Sequence, residues 1–199
     1  MDPELFTPRP PTHESRITIG YAGGLLAEKG LDTLLQACAG LIGDWRLEIV
    51  GEGDQRAALE AMVRELQISE RVTFRNHITS HEMPAFYQGL DLFVLTSRTL
   101  PNWKEQFGRV LIEAMACEVV VLGSDSGEIP NVIGEAGMIF PEGDVAQLRS
   151  QLQHLLDYPN ERQRLAKLGR QRVLAHYSMA QIARQTVDIY REILMMRDP

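Results

Sequence analysis

Two acids, Glu105 and Glu113, stand eight residues apart in the run from Lys104 to Cys117. From Val110 to Cys117 the only charge is Glu113, and the apolar positions run all round the turn, so this stretch reads as a helix covered on both sides. The pair then straddles the mouth of a buried helix. A carboxylate well inside such a helix persists only where something donates hydrogen bonds to it. A sugar hydroxyl would serve, and so would a neighbouring backbone amide.

Three glycine-bearing loops could bring further groups to these acids. The first, Gly23-Gly24-Leu25-Leu26-Ala27-Glu28-Lys29-Gly30, ends at a helix start, where unpaired amides and the dipole favour an anion. Lys29 at that mouth opposes the macrodipole, so its place makes most sense opposite a phosphate, although a solvated lysine in a glycine-rich turn would look the same. The second loop, Gly51-Glu52-Gly53-Asp54-Gln55-Arg56, imitates a dinucleotide fingerprint. Arg56 stands where that motif needs its third glycine, and the motif belongs after the first strand, so the loop reads as a structural turn at the edge of a site. The third, Ser124 to Asn131, offers hydroxyls and carboxylates, with helix capping by Asp125 or Ser126 as the plain alternative. His77 could line a cleft. His13, His81, His154 and His176 show no metal-ligand spacing, and no Ser-His-Asp or Cys-His arrangement can be assembled.

The elements that must position these groups alternate. Strands are expected at Ile17-Ala22, Arg46-Val50, Val72-Arg75, Asp91-Leu95, Val119-Leu122 and Gly137-Phe140. Between them Leu31, Leu34, Leu35 and Cys38, then Ala58, Met62, Val63 and Leu66, then Met83, Phe86, Tyr87 and Leu90 fall at helical spacing. Such alternation predicts an α/β doubly wound, Rossmann-like parallel sheet of about six strands in the order three-two-one-four-five-six, with ligands beyond the carboxyl ends of the strands. After Phe140 only helices are expected, the last starting near Ser178 with a wide apolar stripe from Ile182 to Leu194. Residues 1-15, with four prolines, read as a tail or linker stub; 16-177 as the folded domain; 178-199 as the terminal helix.

Composition excludes several classes. A net charge of -7 with no basic cluster argues against nucleic acid as partner. No apolar stretch approaches the roughly 18 residues of a membrane span, and the start has no signal pattern, so a cytoplasmic location is expected. Cys38 and Cys117 fall in apolar helical patterns and read as buried thiols.

Taken together, these residues resemble the donor-binding, C-terminal half of the family 4 (group 1) retaining glycosyltransferases, which have the two-domain GT-B architecture. The likeness is collinear over nearly the whole chain. The family's glycine-arginine-leucine, three residues, lysine-glycine element matches Gly23-Gly24-Leu25 through Lys29-Gly30. Its valine-glycine-acid-glycine turn matches Val50 to Gly53, and its two glutamates with seven residues between them match Glu105 and Glu113. Ala114 to Cys117, Ser124 to Ile129 and His176-Tyr177-Ser178 also agree.

The resemblance implies a nucleotide-sugar as donor substrate, with no cofactor and no metal. It implies that Lys29 holds the diphosphate beside Gly23 and Gly24, and that Glu113 hydrogen-bonds the ribose. Glu105, with the backbone of Phe107, Gly108, Arg109 and Val110, would contact the donor sugar and its phosphate, and Ile78 would flank the base. Gly24 departs from the family arginine and removes one cation, for which Arg109, Arg98 or Lys104 are candidate replacements. Glu118 and Val120 stand where glycine and proline are commoner. The acceptor-binding N-terminal domain of the family, and the histidine expected from it, have no counterpart in these 199 residues. The chain is therefore expected to need that domain as its partner, to pack its terminal helix on it or dimerise through that helix, and to transfer no sugar alone. Peripheral attachment at the inner face of a membrane is an expectation for the full-length enzyme only. The alternatives are a non-catalytic nucleotide-sugar-binding module and, against Arg56 and the missing fingerprint, a nicotinamide-dependent dehydrogenase.

Overall fold

The computed structural model describes residues 1–8 and 16–195. The part of the proline-rich stretch from residue 9 to 15 and the last four residues lie outside them. Six strands, β1 (Ile17–Ala22), β2 (Trp45–Val50), β3 (Val72–Arg75), β4 (Leu92–Leu95), β5 (Val120–Ser124) and β6 (Gly137–Phe140), form one sheet in the order β3-β2-β1-β4-β5-β6. Every neighbouring pair is parallel. The doubly wound sheet and its strand order are those expected from the sequence.

Mostly apolar, fully buried runs make the central strands. All six residues of β1 and all four of β4 are buried, as they must be when helices cover both faces. At the edge, β3 alternates between half-buried and exposed positions. Between the strands lie α1 (Leu31–Ala39), α2 (Arg56–Glu65), α3 (Met83–Gln88), α4 (Arg109–Ala116) and the short α5 (Ile129–Ile133). The last begins inside the loop expected from Ser124 to Asn131 and runs on to Ile133, because Ile129, Val132 and Ile133 bury against β5 and β6.

Three further helices follow β6: α6 (Val145–Asp157), α7 (Pro159–His176) and α8 (Met179–Met195). Asp144 caps α6 by accepting the Gln147 amide at 2.9 Å, and that helix packs on α1. α7 is highly charged yet buries Leu165, Gly169 and Val173 against the α4 side; a Cβ at Gly169 would stand 3.1 Å from Met115 Cγ. α8 buries no residue.

Residues 1–8 lie against the domain. Phe6 is buried in the core, Gln88 Nε2 donates to Thr7 O at 3.0 Å, and Arg170 donates to Phe6 O at 3.1 Å. None of the described helices is long and apolar enough to cross a membrane.

Candidate functional site

At the carboxyl ends of β1, β2 and β3, beside the start of α4, the chain encloses a cleft of about 640 Å³. Ala22, Gly23 and Gly24 line it after β1, Val50, Gly51 and Glu52 after β2, and His77, Ile78 and Ser80 after β3. Met83 of α3, Arg109, Val110 and Glu113 of α4, and Phe6 complete it. Of the residues singled out in the sequence, Gly23, Gly24, Ile78, Arg109, Val110 and Glu113 thus meet in one cavity.

A close backbone approach shapes one side of it. Gly51 adopts φ +148°, and a Cβ there would stand 1.9 Å from Gly23 O, so only glycine lets the β1 and β2 loops touch. The loops are then tied by Gly23 N to Val50 O at 3.0 Å and Leu25 N to Glu52 O at 2.8 Å. This accounts for the second glycine loop as a turn that also edges the cleft. Arg56 pairs with Glu60 at 2.8 Å and lies over the Phe74 ring at the β3 edge of the sheet.

The helix α4 enters from a left-handed Gly108 (φ +71°) and starts without a side-chain cap. A Cβ on Gly108 would press Leu111 and Leu95 at 2.9 and 3.2 Å, so the sharp entry needs this residue. Its uncapped amides and dipole make the start of α4 a favourable place for an anion. Glu113 sits on the second turn, 5% exposed. Its carboxylate accepts from Tyr87 Oη at 3.0 Å and from Arg109 Nε at 2.7 Å. Burial, and then the Glu113 charge, push the Tyr87 hydroxyl well above its ordinary pKa, so it remains a donor. Each carboxylate oxygen thus takes one protein donor and keeps a lone pair for another.

Lys29 and Glu105 do not line this cleft. They form a second ion pair beside it, Nζ to Oε2 at 2.8 Å, both largely buried. Ser97 Oγ donates to the same Oε2 at 3.1 Å, and the Lys29 ammonium lies 4.5 Å from the Trp103 ring centroid. Tyr21 connects the pair to the cleft: its hydroxyl donates to Gly24 O at 2.8 Å, and burial followed by the Glu105 charge raises its pKa. Gly127 (φ +54°) lets the β5 loop close on Glu105, whose carbonyl takes the Glu128 amide at 3.0 Å; a Cβ on Gly127 would stand 1.9 Å from that oxygen. Phe107 is partly exposed and packs edge-on against Tyr177 at 5.7 Å.

The candidate replacement cations separate. Arg109 reaches the cleft. Arg98 instead binds Asp32 Oδ2 and Thr33 Oγ1, each at 2.7 Å, beside a different hollow, and Lys104 is exposed. Sequence reasoning did not single out Phe6, Tyr87, Trp103, Ser80 or Met83 as site residues. Tyr87 and Met83 read as a helix face, and Phe6 was hidden among prolines; a lone aromatic in such a stretch was the signal available.

Residues 4–172 match the family described as glycosyl transferases group 1. The chain belongs to that family. Among similar proteins, the MMP alpha-(1->4)-mannosyltransferase of Mycolicibacterium hassiacum is 30% identical over 98% of this chain and 47% of its own length. A sucrose-phosphate synthase structure from Thermosynechococcus elongatus superposes with a TM-score of 0.83 at 30% identity, over 98% of this chain and 51% of that one. The Anabaena protein HepE, solved with UDP and glucose, gives 0.84 at 18% identity, over 96% and 55%. The chain spans about half the length of the curated relatives it matches. Its sheet is the group 1 sheet of the GT-B fold, as the resemblance implied.

Proposed function

We propose that this chain is the donor-binding half of a retaining glycosyltransferase that moves a hexose from a nucleoside-diphosphate sugar to an acceptor held by a second domain. One observation carries the reading: the loops after β1, β2 and β3 and the start of α4 converge on a single cleft, with a buried acid at its wall and a lysine–glutamate pair beside it. In this reading the diphosphate takes Lys29 and the α4 amides, which releases Glu105 to the donor sugar. Glu113 receives the ribose hydroxyls on its two remaining lone pairs, and Ile78 flanks the base. The positive groups then face charge that grows on the leaving diphosphate, where preorganised electrostatics accelerate the step most. No cofactor beyond the donor takes part. The names of the relatives support a hexose, and the HepE complex supports a uridine diphosphate among the candidate donors.

The partner in this proposal is the acceptor-binding domain, against which α8 packs; cytoplasmic location and peripheral membrane attachment belong to that whole enzyme. The test is a thermal-shift panel of UDP, GDP and ADP and their sugars, because binding to the folded state raises the melting temperature by mass action. One base series should raise it. A transfer assay separates enzyme from binding module: the chain alone should give none, and the chain joined to an acceptor-binding domain should transfer with or without a chelator. Transfer by this chain alone would refute the need for a partner, and absence of any thermal shift would refute the donor site.

A further inference from the structure

We infer that Phe6, ahead of the first strand, is a positioning residue of the cleft that holds the nucleoside part of the donor. The inference rests on the donor-site reading above. Phe6 belongs to no strand or helix, yet it is 6% exposed and lines the cleft with Ile78, Met83 and Val110. Its ring centroid lies 6.1 Å from that of Tyr87, tilted by 54°, and the Tyr87 hydroxyl donates to Glu113. Phe6 therefore acts on the cleft twice. It supplies apolar wall, and it packs the phenol that holds the buried acid.

The segment is held to the domain at several points. Arg170 donates to Phe6 O and also to Ala116 O at the end of α4, so one guanidinium ties the segment to the helix that carries Glu113. Gln88 of α3 binds both Thr7 O and Thr7 Oγ1, at 3.0 and 3.1 Å, and the Met179 amide donates to Met1 O at 3.1 Å. A wall of Phe6, Met83, Ile78 and Val110 with His77 and Ser80 among the other lining groups suits a flat, mostly apolar group with polar edges. That is the nucleoside, because Lys29 stands outside this lining.

Calorimetric titration with UDP, GDP, ADP and pyrophosphate tests this on wild type, Phe6→Ala and Leu5→Ala, the last being an exposed neighbour in the same segment. For the nucleoside diphosphate that wild type binds most tightly, Phe6→Ala should raise Kd about tenfold, the scale expected for losing an aromatic contact. Pyrophosphate binding and the Leu5→Ala variant should stay within about twofold of wild type. A folded Phe6→Ala with wild-type affinity overturns the inference, and so does an equal loss for nucleoside diphosphate and pyrophosphate, which would mark general loosening. Hydrogen exchange in the unaltered chain gives an arm that needs no variant: the nucleoside diphosphate should slow the Phe6 and Thr7 amides and pyrophosphate should not. Unchanged exchange with both overturns it. If wild type binds none of the three nucleotides, the donor-site reading falls first and this inference with it.

Discussion

α4 and α8 are both helices with strong apolar faces, and the fold treats them in opposite ways. In α4 every residue from Leu111 to Ala116 is buried, and its one acid is closed by Tyr87 and Arg109. In α8 nothing is buried, and Ile182, Val187, Tyr190, Ile193 and Leu194 all stand exposed. An apolar stripe states that a helix gains from cover; it does not say where the cover comes from. α4 finds it within the chain, between the sheet and α7. α8 has none among the described residues, and the proposal gives it to the acceptor-binding domain.

The largest effect should come from cutting side chains in the two helices. Leu111→Ala should cost about 2–5 kcal/mol in denaturant unfolding, whereas Leu194→Ala should change stability by about 0.5 kcal/mol or less. Equal losses would mean that α8 is covered in solution by something the isolated fold does not supply, such as a second copy of the chain.

Next come the two ion pairs. Lys29→Ala and Glu113→Gln should each weaken nucleoside-diphosphate binding by about 1.5–3 kcal/mol, the worth of a hydrogen bond to a charged group. Titration with the bare nucleoside should separate them, since only the glutamate change should register there. Equal effects of both on the nucleoside would show that the roles are wrongly assigned. No change at all in an α8 variant such as Tyr190→Ala would sharpen the contrast between the helices.

A smaller effect is expected at the second cation. A Cβ on Gly24 would meet only the Leu26 side chain, at 3.2 Å, so the position admits a larger residue. If Arg109 supplies the charge that Gly24 lacks, Arg109→Gln should lower diphosphate affinity and flatten its salt dependence, and Gly24→Arg should add little. The reverse pattern would show that the site has one cation.

The smallest effect lies at the acid edge. Glu142 closes the loop ahead of Glu105 by accepting the Thr99 amide at 2.7 Å and the Thr99 hydroxyl. Partial burial opposes its ionisation, but the hydrogen bonds from Thr99 and Ser126 outweigh that and hold its pKa below the usual range. A depressed folded pKa means stability that is full above the unfolded value and is lost as pH falls through the folded one. Melting curves below about pH 5 should therefore drop less steeply for Glu142→Gln than for wild type. Parallel curves would remove this carboxylate from the account.

The sheet was legible because its strands are short apolar runs or alternations bounded by turn residues: Ile17–Ala22, Val72–Arg75 and Gly137–Phe140 have the bounds their patterns predict. α5 was not, since five residues around Pro130 are too few to show a helical period. In the site, chain order pointed to the cleft residues on the loops and on α4. It did not show that Lys29 rests on Glu105, a contact across 76 positions, or that Tyr87 closes Glu113 across 26. Local spacing carries turns and faces; pairings between distant side chains appear only when the sheet order brings their loops together.

The most direct measurement of the donor-site claim is a crystal structure of this chain with the nucleoside diphosphate that raises its melting temperature most. Phosphate oxygens should lie on Lys29 and the first amides of α4, ribose hydroxyls on Glu113, and the base against Ile78. A nucleotide bound away from this cleft, or with its phosphates on Glu113's side and its base at Lys29, would contradict it.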